Sequence, residues 1–249
     1  MIELIGNKIF LDNEYEIREY DTEKGITRAL VSNESIQSLI YIDKTKIQEL
    51  ALDYFMFYNL PIDLNSNGTD YLMLGGGAIS YPHYYLNKYK DKKMDIVEIN
   101  KRCIEYAKKY FYLDELIEKN KERINIIIED AINYISYTNK KYDYILIDLF
   151  NGKFPIKEIY NEANIINFKK ILKENSIILI NYIITNEFDK EELNKIIKIK
   201  NNYKIITNKK YFDSINKIGN IIIILSNKEI NISNNYEYID VSNLYVKKI

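Results

Sequence analysis

One cysteine, one histidine and no tryptophan occur in a chain of 249 residues, alongside three prolines and eight glycines. A single thiol, Cys103, makes no internal disulfide, and together with the single imidazole, His83, it is too small a donor set for a Cys/His zinc centre. The chain therefore reads as intracellular and free of structural metal. An excess of charge of either sign is also missing: 35 Lys and Arg stand against 36 Asp and Glu. Without a global basic field, neither nucleic acid nor an anionic membrane surface is an expected partner. The opening residues Met1-Ile2-Glu3-Leu4-Ile5 lack the basic start and long apolar core of an export signal, so a cytoplasmic location is expected. Apolar runs such as Ile221 to Leu225 and Ile177 to Ile180 fall far short of the ~20 residues needed to span a bilayer and read as buried strands.

What is present is a 47% hydrophobic content, enough for one large domain, alone or with a small appendage. Up to about Asn67, β-prone stretches at Lys8 to Leu11, Tyr15 to Tyr20, Thr27 to Val31 and Ser38 to Ile42 alternate with charged turns, which predicts a small antiparallel sheet. Apolar residues at Ile47, Leu50, Ala51, Tyr54 and Phe55 have the spacing of an amphipathic helix over Lys46 to Tyr58. Pro61 and Asn65-Ser66-Asn67-Gly68 then mark a break. Beyond it, strands are expected at Tyr71 to Leu74, Met94 to Ile99, Ile124 to Ile128, Tyr144 to Asp148 and Ile177 to Tyr182. Helical stretches lie between them, near Ser80 to Tyr89, Lys101 to Phe111, Ala131 to Tyr137, Asn164 to Leu172 and Asp189 to Lys198. This alternation predicts an α/β protein with a doubly wound, mostly parallel sheet, closed by an antiparallel pair at Tyr203 to Thr207 and Ile221 to Leu225. The expected division is a β-rich unit over 1–66, a nucleotide-binding unit over 67–230, and a tail over 231–249 that is either loose or adds a short strand.

In such a sheet, ligands bind at the carboxyl ends of the strands. The first expected strand ends in Leu74-Gly75-Gly76-Gly77-Ala78-Ile79-Ser80, where the missing side chains let the backbone turn tightly against a nucleotide. Glu98 ends the second, at the spacing from which an acid reaches ribose hydroxyls. Asp130 and Ala131 follow the third, Asp130 either accepting from an adenine amine or capping the next helix. Asp148 ends the fourth. No Gly-Lys-Ser/Thr follows the glycines, which excludes a phosphate-cradling loop, and the run departs from the dinucleotide fingerprint at Ser80. An adenosyl ligand without pyrophosphate fits better.

Leu74 to Ser80, Asp95-Ile-Val-Glu98-Ile, Ala107 to Phe111, Glu129-Asp130-Ala131 and Tyr142 to Asp148 together resemble the polyamine aminopropyltransferases, spermidine synthase and its relatives, over roughly residues 30 to 185. The resemblance implies a small N-terminal β domain on a Rossmann-like fold of the class I S-adenosylmethionine-dependent methyltransferase type, and a homodimer. It further implies that Glu98 holds ribose, Asp130 and Ala131 the adenine, Gly75 to Gly77 the sulfonium side of the donor, and that Gln37 touches the nucleotide. Asp148 matches the acid that orients and deprotonates the attacking amine. The donor is then S-adenosylmethionine or its decarboxylated form, and a small molecule accepts a methyl or aminopropyl group.

Two positions depart from the family pattern. An acid ordinarily follows the glycine run, and Ala78 stands there; a second ordinarily follows the catalytic one by three residues, and Asn151 stands there. A doubly charged diamine needs paired anions in a desolvated pocket. Diamine transfer would then need a replacement acid such as Asp53 or Glu158 beside Asp148; a nucleotide-binding module that has lost catalysis is the other alternative. Asn151 and Tyr54 are candidate acceptor contacts. Tyr81, Tyr84 and Tyr85 offer ring faces to a cation or else pack in the core. His83, near the start of the helix after the glycines, is either a ligand contact or a packed residue. Cys103 reads as a small buried hydrophobe, and the pairs Lys92-Lys93, Lys108-Lys109 and Lys140-Lys141 as solvated faces.

Overall fold

The computed structural model describes residues 6–152, 154–184, 190–208, 212–213 and 218–245. Four antiparallel strands come first: β1 (Asn7–Leu11), β2 (Glu16–Thr22), β3 (Gly25–Ser32) and β4 (Ser35–Tyr41), in the order β1-β2-β3-β4. Ile17, Leu30, Ser38 and Ile40 are buried, and so are Ala29 and Val31 on the other face of β3, so the middle of this sheet is covered on both sides. The helix expected over Lys46 to Tyr58 does not form. Turns occupy its first part, followed by a 3₁₀ helix over Asp53–Asn59 and a short helix α1 (Leu60–Leu64). The aromatic residues Phe55, Phe57 and Tyr58 are buried on more than one side of this segment, which a single amphipathic stripe cannot provide. Pro61 begins α1, where its missing N–H costs no bond, instead of ending an element.

The second sheet contains β5 (Asp70–Leu74), β6 (Lys93–Glu98), β7 (Ile124–Ile128), β8 (Tyr142–Ile147), then, after the small hairpin of β9 (Phe150–Asn151) and β10 (Phe154–Pro155), the long β11 (Leu172–Ile184), β12 (Asn202–Thr207), β13 (Phe212–Asp213), β14 (Ile218–Ser226) and β15 (Ile239–Asp240). Its order is β15-β12-β14-β11-β8-β5-β6-β7, with β13 pairing β14. The five strands from β11 to β7 are parallel; β14, β12 and β15 pair antiparallel beyond them. Order reverses between β5 and β8, so the switch point of this doubly wound sheet lies between them. The antiparallel pair expected at the edge is β12 and β14, and the segment after residue 230 contributes β15 and α8 (Ser242–Tyr245) to that edge.

Side chains on successive strand positions enter two cores. Met73, Ile96, Leu146 and Leu179 face one layer with the N-terminal sheet, α2 (Ser80–Lys88), α3 (Lys101–Tyr110) and α4 (Leu113–Lys119). Leu72, Leu74, Val97, Ile145, Ile147, Ile178 and Ile180 face the other with α5 (Ala131–Tyr137), α6 (Glu162–Ile171) and α7 (Lys190–Ile197). Each fully buried aliphatic side chain contributes roughly 1.5–3 kcal/mol. Because both faces are covered, the strands read as continuous apolar runs. Among the described residues, no helix is long and apolar enough to cross a membrane.

Candidate active site

Register brings the chemistry together. Leu74 pairs with Val97 on one side and Ile147 on the other, so the residues that follow leave the sheet side by side. The ladder continues past the strands: Gly75 N donates to Val97 O at 2.9 Å, and Asp148 N to Leu74 O at 2.8 Å. Gly75 has φ +90°, and a Cβ there would lie 2.1 Å from the Asp148 carbonyl oxygen. At Gly76 a Cβ would meet Ile96 Cγ2 at 2.6 Å. The loop is so tight that the buried Ile79, the residue immediately before α2, is also left-handed, at φ 67°.

Glu98 braces this loop. Its Oε2 accepts from Gly76 N at 2.9 Å and Gly77 N at 2.8 Å, and its Oε1 from Asn100 N at 2.8 Å. A carboxylate has about four lone-pair sites, so Oε1 keeps one for a further donor. Asp130 caps α5 as one of its two expected roles, accepting from Ile132 N at 2.7 Å and Asn133 N at 3.1 Å through Oδ1 alone. From above, β4 closes on the glycine loop: Ala78 N donates to Ser38 Oγ at 2.8 Å, and Leu39 N to Ser80 Oγ at 3.0 Å.

Asp148 sits beside Gly75 and accepts one hydrogen bond on each oxygen. Tyr58 Oη donates to Oδ2 at 2.9 Å and Asn181 Nδ2 to Oδ1 at 2.8 Å. Burial pushes its carboxyl up to about 6; the two hydrogen bonds pull down and the nearby Glu98 charge pushes up. Asn181 in turn accepts from Asn220 Nδ2 at 2.5 Å.

One cleft of about 510 Å³ gathers these groups, a size within the roughly 300–1,000 Å³ of small-molecule sites. Gly75 to Gly77, Glu98, Asp130 and Ala131 line it, as do Gln37 from β4, Tyr54, Asn151 and Asp148. Among the described residues, five carboxylates line the cleft: Glu14, Glu98, Glu129, Asp130 and Asp148. Glu14 is paired with Arg102 at 3.2 Å. Among the described lining residues there is no Lys, Arg or His.

Other sequence candidates lie elsewhere. Tyr81 lines the cleft, whereas Tyr84 and Tyr85 do not; Tyr85 is buried against Tyr71. His83 is a buried residue of α2, its Nε2 2.6 Å from Phe111 O, and desolvation lowers it to about 4. It is a packed residue. Glu158 is exposed and away from the cleft, so it replaces no missing acid; the Asp53 side chain lies outside the described residues. Lys92 is not solvated: it is buried and donates to Ser66 O at 2.6 Å. Lys140 reaches the buried Asp95 at 2.8 Å. Cys103 is buried at the cleft wall, donating to Tyr15 Oη, and burial pushes its thiol up to about 12.

Sequence reasoning missed Tyr58, Ser38, Glu14 and the Asn181–Asn220 pair. Asn181 had a signal: it is the polar residue that interrupts the apolar run of β11, and buried amides are kept for bonds. Ile99, 64% exposed and lining the cleft, had another, as an apolar residue left uncovered directly after an acid at a strand end.

Residues 54–234 match the spermine/spermidine synthase domain family. The chain belongs to this family. The polyamine aminopropyltransferase of Methanocaldococcus jannaschii is 29% identical over 145 residues, covering 56% of this chain and 48% of that protein. The chain thus spans about half the length of the curated relatives it matches. A probable spermidine synthase from Corynebacterium glutamicum superposes with a TM-score of 0.74 at 18% identity, covering 94% of this chain and 84% of that one. Human methyltransferase-like protein 13, solved with SAH, has a TM-score of 0.59 at 16% identity over 74% and 87% of the two chains. The fold is that of the class I methyltransferases, preceded in this chain by an antiparallel sheet.

Proposed function

We propose that this protein transfers an aminopropyl group from decarboxylated S-adenosylmethionine to a small amine. The observation that carries the reading is the charge of the cleft. Five carboxylates, one of them (Glu14) paired with Arg102 behind it, and no basic side chain among the described lining residues suit a donor that is cationic at its sulfonium and its ammonium and has no carboxylate of its own. The carboxylate of intact S-adenosylmethionine would meet like charge there. Family membership and the activity for which the Methanocaldococcus relative is named support the same choice.

In this reading Glu98 accepts from ribose through its remaining Oε1 site, Asp130 accepts from the adenine amine through Oδ2, and Ile99 and Ile132 flank the base. Gly77 and Gln37 close over the sulfonium side, and the faces of Tyr54 and Tyr81 favour a cation. The amine nitrogen attacks the methylene carbon bonded to sulfur; the C–N bond forms, the C–S bond breaks with its electron pair going to sulfur, and the amine proton goes to Asp148. The sulfonium is already activated, so the protein aligns the nucleophile, excludes water and takes the proton. The N-terminal unit to residue 66 belongs to this proposal as the roof that supplies Glu14, Gln37 and Ser38.

Calorimetric titration with the two donors side by side tests the reading. Tighter binding of the decarboxylated form by at least roughly tenfold is expected, about 1.4 kcal/mol. Preference for intact S-adenosylmethionine would move the assignment to methyl transfer, and binding of neither would remove it.

A further inference from the structure

The carboxyl rim of the sheet changes chemistry across the switch point. On the β6 and β7 side the strand ends carry Glu98, Glu129 and Asp130. On the other side Asp148 is followed by amides: Asn181 in β11, Asn220 in β14, and Asn151 in the hairpin after β8, all lining the same cleft.

The amides form a directed chain. Asp148 accepts only, so the group of Asn181 that meets it at 2.8 Å is the Nδ2 donor. Asn181 Oδ1 then faces Asn220, whose Nδ2 donates to it at 2.5 Å. Asn220 keeps its Oδ1 and its second Nδ2 hydrogen for a further partner, and Asn151 is exposed on the wall of the same cleft. Among the described residues this end therefore offers one negative charge, held by two neutral donors, and beyond it neutral amide groups. One ammonium is balanced by Asp148. A second would be desolvated against amide dipoles without a carboxylate among the described residues, which is unfavourable, whereas a hydroxyl satisfies the same amides at no charge cost.

We infer that the acceptor end selects an alkylamine carrying one ammonium and an uncharged hydrogen-bonding group at its far end, such as an amino alcohol, over a diamine of equal length, with Asn220 and Asn151 as the specificity-determining residues. The inference rests on the aminopropyl-transfer reading above. Its recognition step is separable from turnover, because an acceptor can be titrated into protein saturated with the product nucleoside.

The test titrates 4-aminobutan-1-ol and butane-1,4-diamine at pH 8 into protein saturated with 5′-methylthioadenosine, and then compares kcat/KM for the two with decarboxylated S-adenosylmethionine. The amino alcohol is expected to bind about tenfold tighter or more, with the same order in kcat/KM, since a site built for a hydroxyl rejects the wrong group strongly. Asn151→Asp, at an exposed position that tolerates the change, and Asn220→Asp are each expected to move the ratio about tenfold toward the diamine. A diamine that binds as tightly in the unmodified protein, a ratio that neither variant moves, or binding of neither compound overturns the inference. Absence of transfer to any amine, with the binding ratio as expected, would instead overturn the reaction and leave this recognition standing.

Discussion

Asn181 donates its side-chain amide to Asp148 from within the apolar stretch that begins at Ile177 in β11, and this one 2.8 Å bond ties the orientation of the candidate base to the core of the sheet. Because Asn181 favours the charged form of Asp148, replacing it with the similarly sized Leu shifts the carboxyl further upward. Transfer by the unmodified protein is expected to rise with pH through a midpoint near 6 and then level, as Asp148 becomes the anion that accepts the amine proton. In Asn181→Leu the midpoint moves to higher pH. A profile of kcat/KM against pH checks both, and an unmoved midpoint would remove Asn181 from the role of positioning residue.

Asp148 also has a sign in stability. Its folded carboxyl lies above the ordinary 3.8, so the protonated form is the one the fold favours. Its contribution is fully present below that ordinary value and is lost as pH rises to about 6, remaining lost above. Asp148→Asn is therefore expected to unfold no more readily than the unmodified protein at pH 8, with a gain of at most about 3 kcal/mol, and to lose that advantage near pH 4. Turnover falls by about a hundredfold or more, the usual worth of a positioned base. Urea unfolding at the two pH values and donor titration separate these effects; equal losses in donor affinity and turnover would contradict the division of labour between Asp148 and the nucleotide contacts.

The strands and the doubly wound, mostly parallel character of the sheet were legible because each buried strand is a continuous apolar run and each turn toward the site begins with glycine or an acid. Glu98, Asp130 and Asp148 could be placed because parallel register puts successive strand ends on one rim. Tyr58 was not legible: it acts from a 3₁₀ helix whose apolar residues mimic an amphipathic helix over Lys46 to Tyr58, and nothing in local spacing says that its hydroxyl meets a residue 90 positions later. Glu14 and Ser38 were missed for the same reason, since only the docking of one sheet on the other brings them to the cleft.

Glu98 serves the loop before it serves any ligand. Glu98→Ala leaves the Gly76, Gly77 and Asn100 N–H groups without their acceptor, and each unsatisfied donor costs about 1–3 kcal/mol where water does not replace it. The variant is expected to melt at lower temperature and to bind the adenosyl donor at least roughly tenfold more weakly. Calorimetry alongside thermal unfolding reads both. Weakened binding at unchanged stability would mean that the three backbone contacts contribute nothing to the loop.

The glycines separate backbone from side-chain constraint. A Cβ at Gly75 would press on the Asp148 carbonyl oxygen at 2.1 Å from a left-handed backbone position, and neither the φ nor that oxygen can be relieved by trimming a side chain. At Gly76 the obstacle at 2.6 Å is the Ile96 Cγ2 methyl. Gly76→Ala alone is expected to destabilise by about 1–3 kcal/mol through overpacking, and Ile96→Ala alone by about 2–5 kcal/mol through the cavity it leaves. Combined, the new methyl enters that cavity, so the double variant is more stable than the sum of the two changes by at least about 0.5 kcal/mol. Gly75→Ala paired with Ile96→Ala shows no such gain. Urea unfolding of the two cycles decides the matter: additivity in both would mean that the loop relaxes away from Ile96, and coupling at Gly75 would mean that its backbone gives way where the contact with Asp148 requires it to hold.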